Sequence, residues 1–216
     1  MDYIRIAESL KYYAKEYEVV PHIPWMVHKE ISQLTKPVER RDLYLSGTNV
    51  VENKEVFIGS AEQAFLQAVF LPSSITLVPM KKYCTATPCF RDEPILDLWH
   101  KQYFHKTELF YYQDISDDKG KDLRHLVVIR DAMIADAMTF FKQFCDVIEI
   151  RDDTVSSENI GEKQAWDIRT FETGVELGSY GVRTATFRGR TIAWVYGTGC
   201  AEPRLSTALD EIQKNT

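Results

Sequence analysis

Apolar residues recur at two different periods along the chain, and the period assigns the elements. From Asp2 to Glu16, Ile6, Leu10, Tyr13 and Tyr17 follow at spacings of three and four, which predicts an amphipathic helix. Val19-Val20-Pro21 then predicts a short extended piece, because proline fixes its own φ and pushes the residue before it out of the helical region. Residues 29–54, rich in charges and turn formers, read as loop. Glu55–Gly59 reads as a strand turning into a helix over Ala61–Phe70, with Ser60 placed to cap it and Pro72 to end it. Two runs rich in Thr, Tyr and Phe, Lys82–Arg91 and Lys101–Tyr112, predict an antiparallel hairpin. Leu123, Leu126, Val127, Ile129, Ile134, Met138 and Phe141 mark a long helix between Gly120 and Cys145. Short strands follow around 147–150, 165–171, 175–179, 182–187 and 191–196, before a closing helix from about Pro203 to Gln213. This order lacks the regular strand–helix alternation of a parallel sheet, so the expected fold class is α+β, an antiparallel sheet flanked by helices.

The 216 residues, 44% of them hydrophobic, suffice for one sizeable core, so a single domain spanning 1–216 is expected. With 26 Lys and Arg against 32 Asp and Glu the formal charge is -6, which offers no general attraction to a polyanion. No apolar run has the length of a membrane span, and the N-terminus lacks the layout of a secretory signal, so the expectation is a cytoplasmic protein with no membrane partner. Four cysteines without C-x-x-C spacing point to reduced thiols, and five histidines without zinc spacing give no support for a structural metal.

Candidate chemistry concentrates in three places. Arg91 and Glu93 stand two apart at a strand end, and Phe104 and Glu108 four apart on the returning strand, so an antiparallel turn can gather a guanidinium, a flat ring and carboxylates on one face. Spacing alone equally fits a half-exposed sheet with cross-strand ion pairs. Gly197-Thr198-Gly199 precedes Arg204 and a helix, which fits either an anion-facing loop or a glycine turn before a helix start. Glu176 and Ser179 bracket Leu-Gly and offer two oxygens to a hard cation such as Mg²⁺, or a solvated turn. Cys89 and Cys200 each neighbour an arginine without an identified base and read as small buried residues, while His100, Lys101, His105 and Lys106 read as an exposed basic rim.

In this order the segments resemble the catalytic core of class II aminoacyl-tRNA synthetases, and among them the seryl-tRNA synthetase branch. The first helix with Tyr17-Glu-Val-Val-Pro21 is similar to the family's first motif, Ser60-Ala-Glu62 to its Thr-x-Glu loop, Thr87-Pro-Cys-Phe-Arg-Asp-Glu93 and Gln102–Leu109 to its second motif. Trp166-Asp-Ile168 and Glu176-Leu-Gly-Ser179 resemble the strand and Glu-x-x-Ser element before the third motif, and Gly197–Arg204 resembles the third motif itself. The resemblance implies that Arg91 holds the α-phosphate of ATP, Glu93 helps place adenine, Phe104 stacks beneath it, and Arg204 covers its other face near the γ-phosphate. It implies that Glu176 and Ser179 bind Mg²⁺, that Glu62 and Glu108 hold the amino group of a small amino acid beside Ser60 of the recognition loop, and that Thr198 lines the side-chain pocket. It also implies a homodimer.

Three departures shape the expected function. The chain starts almost at the first motif, without the coiled-coil arm that grips tRNA; the second-motif loop, Pro94 to Trp99, is short; and His100 stands where the family has a later arginine. The expectation is therefore an aminoacyl-adenylate-forming ligase that passes its acyl group to a non-tRNA acceptor such as a carrier protein. The zinc-binding cysteine pattern of arm-less carrier-protein ligases is not reproduced, so no zinc is expected. The alternatives are an inactive synthetase paralogue that senses an amino acid or regulates a partner, and a minimal seryl-tRNA ligase.

Overall fold

A computed structural model describes residues 1–36, 40–43, 54–117, 123–152 and 162–215. The chain runs α1 (Tyr3–Tyr13), β1 (Glu18–Val19), β2 (Met26–His28), α2 (Lys29–Ser32), β3 (Glu55–Phe57), α3 (Ala61–Phe70), β4 (Lys82–Phe90) and β5 (Tyr103–Asp114). It continues through α4 (Arg124–Phe141), β6 (Val147–Asp152), β7 (Glu162–Thr170), β8 (Glu176–Phe187), β9 (Arg190–Glu202) and α5 (Arg204–Asn215). Among the described residues one seven-stranded sheet has the order β1-β4-β5-β9-β8-β7-β6, and β2 and β3 form a separate antiparallel pair. The ladders are antiparallel except for β1, which lies parallel to β4. The α+β expectation holds.

Local signals explain the elements. Asp2 is extended and its carboxylate accepts the Arg5 amide at 3.0 Å, starting α1. Ser60, also extended, accepts the Glu62 amide at the head of α3. The sheet is covered on both faces, as the alternation of buried residues in β9 requires. Ala193, Val195 and Cys200 face α1, α4 and α5, whereas Ile192, Trp194 and Tyr196 face α3 and the β2–β3 pair. On the second face Phe65 of α3 stacks on Phe110 of β5 at 4.7 Å. Full burial of such a side chain is worth about 1.5–3 kcal/mol.

Three expectations needed correction. The separate strands around 175–179 and 182–187 are one, β8, because Gly181 stays in the ladder opposite both Ala165 and Tyr196. Gly197-Thr198-Gly199 is no turn: all three lie inside β9. The lack of a side chain at the two glycines answers to packing, since a Cβ on Gly197 would come within 2.5 Å of the Tyr180 ring and one on Gly199 within 2.6 Å of the Tyr13 ring. The stretch 29–54, read as loop, opens with the short α2; residues 44–53 and Gly120 lie outside the described residues.

β5 and β9 fall out of step between Thr107 and Glu108. Thr107 pairs with Cys200 and Glu108 with Thr198, which leaves Gly199 as an extra residue, a β-bulge.

Candidate active site

The face of the sheet under α3 is apolar only as far as the helix reaches. Tyr83, Phe110, Tyr112, Ile192, Trp194 and Tyr196 pack beneath it. Beyond its N-terminus the sheet presents mostly polar groups, Lys106 on β5, Thr198 on β9, Ser179 and Arg183 on β8, together with the flat ring of Phe104 on β5. Removing the helical cover leaves a cleft of about 440 Å³, bounded by the head of α3, by residues 40–43, by the β4 end and by the start of α5.

The corner at Gly59-Ser60 is pinned to the β4 end. The Phe90 amide donates to the Ile58 carbonyl at 2.8 Å, the Arg91 Nε to the Gly59 carbonyl at 2.9 Å, and the Gly59 amide to the Gln63 side chain at 2.7 Å. Arg91 is thereby held with its guanidinium 4.9 Å from the centre of the Phe104 ring. Burial, together with the guanidiniums of Arg40 and Arg204, holds Arg91 below the ordinary arginine value. Arg91 and Arg204 both line this one cleft, although they come from the hairpin and the last helix. Arg204 donates to Glu176 at 3.0 Å, and Glu93 accepts from Arg40 at 2.8 Å.

The two carboxylates expected to meet an amino group, Glu62 and Glu108, are placed differently from one another. Glu62 lines the cleft, with both oxygens on Nη1 of Arg183 at 2.9 and 2.8 Å and one on the Trp194 indole at 2.6 Å. Glu108 is fully buried beneath the wall: Lys106 Nζ donates to Oε1 at 3.1 Å and lies 2.9 Å from Oε2, to which the Ser60 hydroxyl donates. Burial pushes the Glu108 carboxyl up, against the pull of Lys106, and the Glu62 charge adds to the rise. Thr198 is buried at the floor and its hydroxyl accepts the Ser179 amide at 3.4 Å.

Ten residues singled out from sequence therefore fall in or directly under one cleft: Ser60, Glu62, Arg91, Glu93, Phe104, Glu108, Glu176, Ser179, Thr198 and Arg204. The supposed basic rim does not exist as one surface. Lys106 turns into the cleft, His105 packs edge-on against Tyr3 of α1 on the other face, and His100 is tied to Asp97 at 2.9 Å. Sequence reading missed Arg40, Lys106 as a cleft residue, and Arg183. Lys106 stands two residues from both Phe104 and Glu108, and Arg183 four from Ser179, so strand period alone could have placed both. Arg40 sits in an irregular segment with no periodic signal. The cysteines are as expected: burial pushes the Cys84 thiol up to about 12 and Cys89 to about 11, where neither is a nucleophile at neutral pH.

No protein-family model matches the sequence, and no curated protein matches it. Solved structures do. The chain superposes on seryl-tRNA synthetase from Pyrococcus horikoshii complexed with ATP with a TM-score of 0.65 over 95% of its length at 16% identity. It superposes on cytoplasmic serine-tRNA ligase from Naegleria fowleri in complex with AMP with a TM-score of 0.68 over 95% at 17% identity. The fold is that of a class II aminoacyl-tRNA synthetase catalytic core. Giardia lamblia prolyl-tRNA synthetase in complex with prolyl-adenylate shares the same class II core, with a TM-score of 0.66 over 97% of this chain at 10% identity. The chain spans about half the length of these proteins, covering 50%, 47% and 45% of them respectively.

As a test of the Mg²⁺ expectation, the donor set is one carboxylate and one hydroxyl, Glu176 and Ser179, and no cluster of three or more His, Cys, Asp or Glu able to hold a metal occurs among the described residues. That set suits Mg²⁺ bound chiefly by phosphate and water, which needs only one or two protein oxygens.

Proposed function

We propose that the chain is an ATP- and Mg²⁺-dependent ligase that activates a small amino acid as its adenylate. The observation that carries this reading is the convergence of Arg91, Arg204 and Phe104 on one cleft of class II architecture. A carboxylate oxygen of the amino acid attacks the α-phosphorus, the bond to the β-phosphate oxygen breaks, and pyrophosphate leaves. No base is needed, because the attacking carboxylate is already ionised at neutral pH. Arg91 neutralises the charge that grows at the α-phosphate, and Arg204 the departing pyrophosphate. A base stacked on Phe104 takes over a ring face now covered by Arg91, so nucleotide binding frees that guanidinium for phosphate. Glu93, held by Arg40, places the adenine end; Glu176 and Ser179 hold Mg²⁺, which supplies further charge neutralisation. Ser60, Glu62, Glu108 and Thr198 surround the amino acid.

The acyl acceptor in this reading is a carrier-protein thiol, not tRNA. The net charge and the tip of the second-motif loop, where Ile95, Leu96 and Leu98 stand exposed, suit a protein partner better than a polyanion. The molecule works as a cytoplasmic homodimer, measurable by light scattering. Purified protein should exchange labelled pyrophosphate into ATP only when the right amino acid is added; no exchange with any of the twenty would refute activation. A sensor without catalysis is favoured by one observation, that Glu62 and Glu108 already hold cations of the chain itself. Amino-acid binding without exchange would decide for it.

A further inference from the structure

The inner end of the cleft has a charge pattern of its own. The two carboxylates there are already occupied: Glu62 accepts three hydrogen bonds, two from Arg183 and one from Trp194, and Glu108 accepts one each from Lys106 and Ser60, with the Lys106 ammonium also 2.9 Å from its second oxygen. An ionised carboxylate has about four acceptor sites, so most are taken. Glu108 lies fully buried and does not line the cavity, whereas Lys106, Arg183 and the already paired Glu62 do. Arg183 is fixed: its guanidinium is stacked 4.2 Å from the centre of the Tyr196 ring while Nη1 grips Glu62, and its side chain is 11% exposed. An ammonium entering here competes with two resident cations. An anion meets a planar guanidinium and an ammonium whose counter-ions are already in place behind them.

We infer that this end of the cleft selects an amino acid with an acidic side chain, with Arg183 as the specificity-determining residue and Lys106 assisting it. The inference rests on the reading that the cleft holds an amino acid beside ATP, and direct binding separates the two. Calorimetric titrations in the presence of a non-hydrolysable ATP analogue would compare L-aspartate and L-glutamate with L-asparagine, L-glutamine and L-serine. An acidic amino acid should bind at least about tenfold more tightly than its own amide, the scale expected when a site's charged donors lose their partner. Arg183→Gln should shrink that ratio to within about threefold while leaving the analogue's own affinity unchanged, and Arg183→Lys should restore part of it. The inference is overturned if serine or the amides bind as tightly as the acids, if none of the five binds, or if Arg183→Gln keeps the full ratio. Should Arg183→Gln fail to fold, the wild-type panel decides alone. Acid-selective binding without pyrophosphate exchange would sink the activation reading and leave the selectivity standing; exchange supported by serine alone would do the reverse.

Discussion

Arg91 is held by a backbone carbonyl, an aromatic ring and the field of two other guanidiniums, and each of these limits what a replacement can do. Arg91→Ala or Arg204→Ala should lower pyrophosphate exchange by about 10²–10³-fold, the scale seen when one donor to a developing negative charge is removed. Far-ultraviolet circular dichroism should be unchanged, because neither side chain fills a core. The buried thiols give a pH prediction at the same scale. Burial raises Cys84 to about 12 and Cys89 to about 11, above the unfolded value of about 8.5. Their contribution to stability is thus complete below about pH 8.5 and is lost as pH rises through the folded values. The buried phenols of Tyr13 and Tyr180, also raised, act in the same sense. The urea midpoint should fall between about pH 8 and pH 10.5, and a thiol reagent at about pH 8 should label Cys84 and Cys89 only on unfolding.

Strand β9 shows how much of an element a sequence reveals. The Thr- and aromatic-rich hairpin and the helices were legible from period, because burial on one face leaves a periodic trace. The Gly197-Thr-Gly199 run was misread because glycine signals a turn and a crowded strand equally, and only the partner rings decide between them. Gly197→Ala and Gly199→Ala should therefore each destabilise by about 1–3 kcal/mol, the cost of overpacking, measured by chemical denaturation. Of the site, the residues matching motifs were legible, and strand period could have placed Lys106 beside Glu108 on β5; the fact that Arg183 of β8 answers Glu62 of α3 was not, since an ion pair between elements far apart in the chain leaves no mark in linear order. The loop residue Arg40 had no periodicity to betray it.

At the scale of the whole molecule, the two ends of the chain meet beside the cleft. Arg5 of α1 donates to the buried Glu202 at 2.7 Å and to Ser206 of α5 at 2.8 Å, and Ser206 also donates to Glu202. The first helix, the end of β9 and the last helix are thus one assembly, with Arg204 inside it. Arg5→Met should cost about 3 kcal/mol by leaving a buried carboxylate without its cation, and exchange should fall with it as Arg204 loses its footing. Chemical denaturation and exchange on the same preparation would check both.

The extra residue at Gly199 reaches further than its own position. In an unbroken ladder Cys200 and Glu202 would share the side of Thr198 and point into the cleft. The bulge resets the odd–even count, so that Cys200 joins the core under α1 and Glu202 meets Arg5. What arrives over the cleft is settled by how many residues separate Thr198 from Arg204, and any chain built on this plan must preserve that number before it can usefully vary the letters.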